Sequence, residues 1–299
     1  MKLTGLHLLL TYQCTFECDH CFVWGSPRQS GVMTLEDIRF FLEQARDTGT
    51  VKWIYFEGGE PFLYYVTLLE GVQMAVESGF RVGVVSNAYW ATSYEDALAG
   101  LRPFAGLLHD LTVSSDLYHS DEKLSPLVRN ALAAAGQLGI PTDVISVAQP
   151  QAAAQCASGQ LPAGESGVMY RGRAVEALAQ YAGRQPWEAF DTCPHEDLHD
   201  PGRVHLDPLG NIHICQGISL GNLHQELLAE ICARYEPESH PICGPLLMGG
   251  PAALVKHYEL AHFESYADAC HLCYMARLAL RESFPGILVP DQMYGMIGN

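Results

Sequence analysis

The sequence predicts an α/β fold: a partial (β/α)6 barrel of the TIM type over residues 1–185, then a smaller, irregular, cysteine-rich domain over residues 186–299. Short apolar strands alternate with amphipathic helices at intervals of roughly 30 residues, which is typical of a parallel sheet with right-handed crossovers. This alternation stops near residue 185, before eight units are complete. Beyond Cys193 the pattern is irregular apart from one hairpin.

The predicted elements follow one another along the chain. Gly5–Thr11 is an apolar run that predicts a buried first strand. A capping box begins the first helix at Thr34, and Gly49 ends it. Further strands are predicted at 51–56, 80–86, 111–114, 143–148 and 167–170, with a long loop at 149–166 before the last. In the second domain, strands 203–206 and 211–215 form a hairpin around a turn at 207–210.

Composition excludes several classes of function. The net charge is -17, with 17 Lys and Arg against 34 Asp and Glu, which leaves no basic face for nucleic acid. No apolar run reaches the roughly 18 residues that span a bilayer, so we expect no membrane partner and a cytoplasmic location. The ten cysteines fall largely into short-spaced groups. In a reducing compartment such grouping indicates metal binding.

The first cysteine group directly follows the first strand. Cys14, Cys18 and Cys21 have the spacing C-x3-C-x2-C. An iron–sulfur cubane normally takes four thiolates, so three of them leave one iron open for chemistry. Loops after the strands form the active-site face of a β/α barrel. Spacing alone also leaves open a zinc site with His20 as the fourth ligand.

A second motif lies at the end of the second predicted strand, in the segment Glu57-Gly-Gly-Glu-Pro61. Combined with the cysteine loop, it resembles the radical S-adenosylmethionine (SAM) superfamily. The resemblance implies a [4Fe-4S] cluster at the three cysteines and SAM on the open iron. It also implies that Gly58, Gly59, Glu60 and Pro61 support the methionine part of SAM. Glycines permit close approach of a ligand, and a carboxylate accepts hydrogen bonds from an ammonium group.

Two further strand ends fit the same family. Asn87, after the third strand, resembles the family's ribose-contacting segment, although Ala88 stands where glycine is more common. Ser114 and Asp116, after the fourth strand, resemble its Ser-x-Asp counterpart. His20 replaces the usual aromatic residue before the third cysteine, and its imidazole can still pack beside adenine.

The second cysteine group resembles the C-terminal SPASM or Twitch extension of radical SAM enzymes, which holds auxiliary iron–sulfur clusters. The segment Arg171-Gly-Arg-Ala174, just upstream, also recurs in such proteins. The predicted ligands form one four-thiolate set, which favours the Twitch form with a single auxiliary [4Fe-4S] cluster: Cys193, Cys215, Cys270 and Cys273. Zinc remains the alternative metal. Cys232 and Cys243 are either free buried thiols or replacements for one of the four, and we assign no role to the histidines of this region.

The resemblance implies an oxidoreductase or modifying enzyme. Reductive cleavage of SAM would yield a 5′-deoxyadenosyl radical that takes hydrogen from a peptide side chain or a small molecule. The auxiliary cluster would accept an electron or hold the extension's shape, and flavodoxin or ferredoxin would supply electrons. The alternative is a non-catalytic iron–sulfur or zinc protein that transfers electrons or scaffolds a complex.

Barrel geometry adds a few candidate pocket residues. Tyr118 and His119 follow Asp116, and Arg171 follows the last predicted barrel strand. Cys156 is the candidate for a cysteine hydrogen donor. Since 13 residues precede the first cysteine, we expect no leader-binding domain before the barrel.

Overall fold

The computed structural model describes residues 1–155, 161 and 164–296. Within these residues the strands are β1 (Gly5–Thr11), β2 (Trp53–Gly58), β3 (Arg81–Ser86), β4 (Asp110–Ser114), β5 (Thr142–Ile145), β6 (Gln185–Pro186), β7 (Arg203–Leu206), β8 (Asn211–Cys215), β9 (Ile218–Asn222) and β10 (Ser265–Tyr266). The helices are α1 (Leu35–Asp47), α2 (Tyr65–Glu77), α3 (Tyr94–Leu101), α4 (Pro126–Gln137), α5 (Pro150–Gln155), α6 (Ala174–Ala177), α7 (Leu228–Arg234), α8 (Cys243–His257) and α9 (Ala269–Leu280).

One eight-stranded sheet organises the fold, in the order β5-β4-β3-β2-β1-β7-β8-β9. Strands β1 to β5 are parallel to their neighbours, and β7 is parallel to β1. Strands β8 and β9 continue the sheet in antiparallel fashion, and β6 and β10 pair separately. This confirms the predicted α/β fold with a mostly parallel sheet.

Helices of the barrel half pack as neighbouring pairs, α1 with α2 and α3 with α4. Helix α1 begins at the predicted capping box, where Thr34 and Asp37 each accept a hydrogen bond from the other's backbone N–H. Its buried face carries Ile38, Phe41 and Leu42, at the helical spacing seen in the sequence. Local sequence signals therefore place these helices correctly.

The sixth predicted strand, 167–170, is wrong. Among the described residues this segment forms no strand, and the only ladder contact is an isolated parallel bridge between Val147 and Ser166. The N–H of Tyr170 donates to the Asp268 carboxylate at 3.1 Å instead. The N–H of Arg171 donates to the carbonyl of Met169 at 2.8 Å. These backbone groups are committed to other partners, so the sheet ends at β5.

The hairpin formed by β7 and β8 agrees with its prediction residue for residue. The Asp207 carboxylate orders its turn by accepting the N–H groups of Leu209 and Asn211, each at 2.9 Å. Its other oxygen accepts the hydroxyl of Tyr12 at 2.9 Å, which joins the turn to the end of β1. The division into two domains at residue 185 stays a prediction, and the sheet is continuous across it.

None of the helices in the described residues is both long and apolar enough to cross a membrane.

Candidate active site

The first three cysteines line a cavity of about 390 Å³ at the carboxyl ends of the barrel strands. Their loop directly follows β1, as predicted. The sulfur of Cys21 accepts the N–H of Gly25 at 3.1 Å, and the sulfur of Cys14 accepts the N–H of Phe16 at 3.4 Å. Burial raises the pKa of the Cys14 thiol to about 11 and that of Cys18 further. A bound cation would therefore be needed to ionise them near neutral pH.

The separation of these thiols favours a cluster over a single ion. Among the described residues, no three cysteine sulfurs lie within 4.8 Å of one another, alone or with a histidine or carboxylate group. A zinc ion with Zn–S bonds of about 2.3 Å would hold its sulfurs about 3.8 Å apart. The wider spacing argues against zinc at the first cysteine group. In the second group, ligand atoms of His195, Asp268 and Cys270 lie within 4.8 Å of one another, so zinc stays the alternative metal there.

The segment Arg171–Ala174 holds the cysteine loop in place. The guanidinium of Arg173 donates to the carbonyls of Cys18 and Gly25, each at 2.8 Å, and its N–H donates to the carbonyl of Cys21 at 3.0 Å. Gly172 has a φ of +60°, and a Cβ there would lie 2.5 Å from the Cys21 carbonyl oxygen. Only glycine permits this contact.

The two glycines after β2 allow close contact with the loop that follows β1. A Cβ on Gly59 would lie 2.0 Å from the carbonyl oxygen of Gln13, and one on Gly58 would lie 2.4 Å from that of Thr11. The N–H groups of Gly59 and Glu60 donate to the carbonyls of Thr11 and Gln13 at 2.7 and 2.9 Å. Both glycines also line the cavity. In this structure their small size lets the backbone after β2 pack against the backbone after β1. The sequence motif did not reveal this reason.

Glu60 is fully buried and is not among the residues that line the cavity. Its carboxylate accepts the N–H of Phe62 at 3.0 Å, the hydroxyl of Ser86 at 2.9 Å and the N–H of Asn87 at 2.8 Å. Burial raises the Glu60 pKa to about 7, although these three hydrogen bonds act to lower it. The side chain thus ties the end of β2 to the end of β3. Pro61, also away from the cavity, begins a short 3-10 turn.

Asn87 and Ser114 both line the cavity. The Asn87 amide donates to the Thr15 hydroxyl at 3.1 Å and approaches the Cys14 sulfur at 3.5 Å. The strand-end residue Asn87 therefore contacts the cysteine loop directly. Ala88, where glycine is more common in the family, has a φ of +59°, the left-handed conformation that favours glycine.

Asp116 is buried between two imidazoles. It contacts His119 Nδ1 at 2.7 Å and His20 Nε2 at 3.3 Å. It also accepts the N–H groups of Tyr118 at 3.0 Å and Val147 at 3.3 Å. Burial alone would raise the pKa of this carboxyl, but the hydrogen bonds to His119 and His20 outweigh it and the pKa is lowered. The carboxylate is ionised and fully engaged.

The structure separates the remaining candidate pocket residues. His119 and Arg171 line the cavity with His20, whereas the Tyr118 hydroxyl donates to the carbonyl of Ala148 at 3.3 Å. The ring of Tyr118 packs edge-on against His20, with centroids 4.6 Å apart. Cys156, the candidate hydrogen donor, lies outside the described residues.

Sequence reasoning missed a second group of polar side chains in the cavity wall: His7, Glu57 and His205. Oε1 of Glu57 lies 3.3 Å from His7 Nδ1 and 3.0 Å from His205 Nε2. Burial would raise the pKa of Glu57, but the imidazoles lower it, whereas burial lowers the pKa of His205. The available signal was His7 itself, an ionisable side chain inside the otherwise apolar run of β1.

The second cysteine group contains more thiols than the four predicted. Burial raises the pKa of Cys243 to about 12, with further contributions from the thiols of Cys215, Cys273 and Cys193. Burial and the Asp268 carboxylate raise the pKa of the Cys270 thiol, and the thiols of Cys215 and Cys273 add to that rise. Five thiols are therefore grouped here. Cys232 stands apart, since no other thiol contributes to its raised pKa.

Two buried arginines accompany this group. Arg171 donates to the Cys215 sulfur at 3.4 Å and to Glu196 at 3.1 Å, and Arg277 donates to the Gln216 carbonyl at 2.6 Å. Within the described residues, the Nε atoms of both arginines are buried without a hydrogen-bond partner. Buried cations with unsatisfied donors beside several thiols suit an anionic cluster, whose sulfurs accept hydrogen bonds.

Comparisons with known proteins agree with this geometry. Residues 8–147 match the Radical SAM superfamily. The match identifies a radical SAM domain in this segment, which is just under half of the chain. YydG of Bacillus subtilis (strain 168), described as a peptide biosynthesis protein, is 30% identical over 124 residues. That alignment covers 41% of this chain and only 39% of YydG.

Solved structures share this fold at low sequence identity. Streptococcus suis SuiB bound to its precursor peptide SuiA has a TM-score of 0.56 at 12% identity, covering 90% of this chain and 76% of SuiB. Native anSMEcpe with bound AdoMet has a TM-score of 0.55 at 11% identity, covering 94% of this chain and 97% of anSMEcpe. BtrN with AdoMet and 2-DOIA has a TM-score of 0.51 at 17% identity, covering 78% and 82%. These identities establish the shared fold alone.

Proposed function

We propose that the protein reductively cleaves SAM at a [4Fe-4S] cluster held by Cys14, Cys18 and Cys21, and that it modifies a peptide. The observation that carries the proposal is the placement of these three thiols in the wall of a cavity at the carboxyl ends of the parallel strands. Two similar proteins support a peptide substrate: YydG is described as a peptide biosynthesis protein, and SuiB is bound to a precursor peptide.

The residues present suit these cofactors. When bound, the cluster and SAM supply a one-electron cleavage that gives a 5′-deoxyadenosyl radical able to take a hydrogen atom. The chain's own part begins with Arg173, which binds the carbonyl of Cys18 inside the cysteine loop and that of Gly25 just after it. Apolar side chains in the cavity wall exclude water from a reactive species: Phe16, Phe22, Val23, Ile145 and Met169.

Predicted SAM contacts divide into two kinds in this proposal. Gly58, Gly59, Asn87 and Ser114 line the cavity and would meet the cofactor directly. Glu60, Pro61 and Asp116 do not line the cavity and would position the residues that do. Glu60, for example, holds the N–H of Asn87, which leaves the Asn87 amide turned toward the cysteine loop.

We further propose one auxiliary [4Fe-4S] cluster in the C-terminal region, bound by Cys193, Cys215, Cys270 and Cys273. The two buried arginines support an anionic group at this place. Cys243 is the alternative ligand, because its thiol belongs to the same electrostatic group. A flavodoxin or ferredoxin is proposed as the electron donor.

The test is anaerobic reconstitution followed by dithionite and SAM, with 5′-deoxyadenosine measured by mass spectrometry. Wild-type protein should form 5′-deoxyadenosine, and Cys18→Ala should not. Cys232→Ala is the matched control, since this half-buried cysteine lies outside both groups and should leave product formation unchanged. Absence of product from wild-type protein with both clusters loaded would refute the proposal.

The peptide assignment needs its own experiment. Precursor-like peptides encoded beside the gene would be synthesised with deuterated residues and incubated with the reconstituted protein. Transfer of deuterium into 5′-deoxyadenosine would identify both the substrate and the residue attacked. If 5′-deoxyadenosine forms and no peptide donates deuterium, the peptide assignment is refuted for these peptides.

A further inference from the structure

The group His7, Glu57 and His205 brings together side chains from three adjacent strands of the sheet. His7 on β1 and His205 on β7 are direct partners in the parallel register, and Glu57 on β2 pairs with Leu9, two residues further along β1. All three side chains line the central cavity. No step of the proposed SAM chemistry uses them.

Their donor atoms have the separations of a metal site. With metal–ligand bonds of about 2.1 Å, neighbouring donors lie about 3.0 Å apart in octahedral and about 3.4 Å apart in tetrahedral coordination. The Glu57 oxygen is 3.0 Å from the His205 nitrogen and 3.3 Å from the His7 nitrogen. All three donor atoms lie within 4.8 Å of one another. Two imidazoles and one carboxylate suit Fe²⁺, Mn²⁺ or Zn²⁺.

The surroundings complete such a site. Nδ1 of His205 lies 3.5 Å from the amide nitrogen of Gln216, and with that amide turned over its oxygen would accept from Nδ1–H and orient a liganding imidazole. His205 is buried beside Glu57, so its imidazole is held in place at the cavity wall. Both imidazoles contact the same Glu57 oxygen, Oε1. The second oxygen of Glu57 is not among the buried polar atoms that lack a hydrogen-bond partner in the described residues.

The comparable group at His20, Asp116 and His119 differs in one respect. The two Asp116 oxygens already accept backbone N–H groups, from Tyr118 and Val147, in addition to the imidazole contacts. Its lone pairs are therefore committed to holding loops together. Glu57 makes no such backbone contact among the described residues.

We propose that His7, Glu57 and His205 bind one divalent cation of the iron, manganese or zinc class, with open coordination positions directed into the cavity. Those positions would take an oxygen ligand, such as a carbonyl or carboxylate of the substrate. This site is separate from both cysteine groups. It stands independently of the SAM chemistry proposed above.

Mn²⁺ is the probe of choice, because it prefers oxygen and nitrogen ligands and competes poorly for thiolates. Protein with oxidised clusters loaded anaerobically would be titrated with Mn²⁺, and the free ion followed by its six-line EPR signal. We expect one Mn²⁺ per chain. Binding should weaken on the order of tenfold or more in Glu57→Gln and in His205→Gln, as expected when a ligand or its support is lost.

Two further variants serve as controls. His199→Gln alters an exposed histidine that contacts Glu238 at 3.1 Å, and Mn²⁺ affinity should not change. Asp116→Asn tests the competing group and should also leave affinity unchanged. Iron content and circular dichroism would verify that each variant is folded and loaded. Pulsed EPR on wild-type protein avoids variants altogether, and bound Mn²⁺ should show coupling to imidazole nitrogen.

The proposal would be overturned by no binding up to about 1 mM Mn²⁺, by binding unaffected by Glu57→Gln, or by binding lost in Asp116→Asn. Missing nitrogen coupling in bound Mn²⁺ would do the same. The experiment uses neither SAM nor substrate. Its failure would therefore leave the proposed SAM chemistry standing.

Discussion

Replacing Gly59 with alanine tests what the glycine pair after β2 is for. The sequence motif suggests that these glycines make room for SAM, whereas the structure shows a Cβ at Gly59 only 2.0 Å from the carbonyl oxygen of Gln13. The obstacle is backbone rather than the end of a flexible side chain. The two segments must therefore separate before the methyl group fits.

The expected cost follows from the contacts that this separation breaks. The hydrogen bonds from Gly59 to Thr11 and from Glu60 to Gln13 are worth about 0.5–1.5 kcal/mol each. Overpacking adds roughly 1–3 kcal/mol. Gly59→Ala should thus lower the free energy of unfolding by ~2–6 kcal/mol. At about 2 °C per kcal/mol for a chain of this size, the melting temperature should fall by ~4–12 °C.

The assay compares thermal unfolding and iron content of Gly59→Ala with those of Gly136→Ala. Gly136 is exposed in α4, and a Cβ there meets nothing within 4 Å. Alanine should stabilise that helix by ~0.5–1 kcal/mol. A Gly59→Ala protein with native melting temperature and iron content but weakened SAM binding would refute the packing argument. That result would mean that glycine is needed at position 59 because the ligand approaches closely there.

Three other predictions concern the clusters and the pH dependence. Replacing Cys270 and Cys273 with serine should lower iron from ~8 to ~4 per chain, and loss of all iron would contradict the ligand grouping. Arg173→Met should reduce loading of the first cluster, measured as iron and EPR signal, whereas Arg184→Met, at an exposed arginine, should not. The Glu60 pKa is about 7 when folded against 4.5 ordinarily, so the folded state retains this proton more tightly between those values. The free energy of unfolding should therefore fall by up to ~3 kcal/mol as pH rises from 4.5 to 7. Urea denaturation should show this slope in wild-type protein and its loss in Glu60→Gln.

Local sequence patterns predicted most of the barrel. Apolar runs and caps located β1 to β5 and α1 to within a few residues, because alternation, helical spacing and capping are properties of short segments. The cysteine loop and the strand-end residues Asn87 and Ser114 were brought together as expected. These contacts follow from parallel topology, which gathers the carboxyl ends of neighbouring strands at one edge.

What the sequence did not reveal depends on distant pairing. The His7, Glu57 and His205 group exists because β7 pairs with β1, nearly 200 residues away in the chain. No local sequence pattern predicts that these two strands pair. The sixth strand failed for the same reason, since a carboxylate at Asp268 takes the N–H of Tyr170. The segment 167–170 was therefore wrongly predicted to pair as a strand of the sheet.

The segment Arg171–Ala174 connects the two cysteine groups physically. Arg173 holds the first cysteine loop through two carbonyls, and Arg171, two residues earlier, reaches the Cys215 sulfur at 3.4 Å. Cys215 ends β8, which belongs to the same continuous sheet as β1. Both groups are thus fixed to one sheet and to one short segment, with a glycine between the arginines that no other residue can replace without strain. A change at Gly172 should therefore disturb both centres together, whereas a change at Cys270 should disturb only the second.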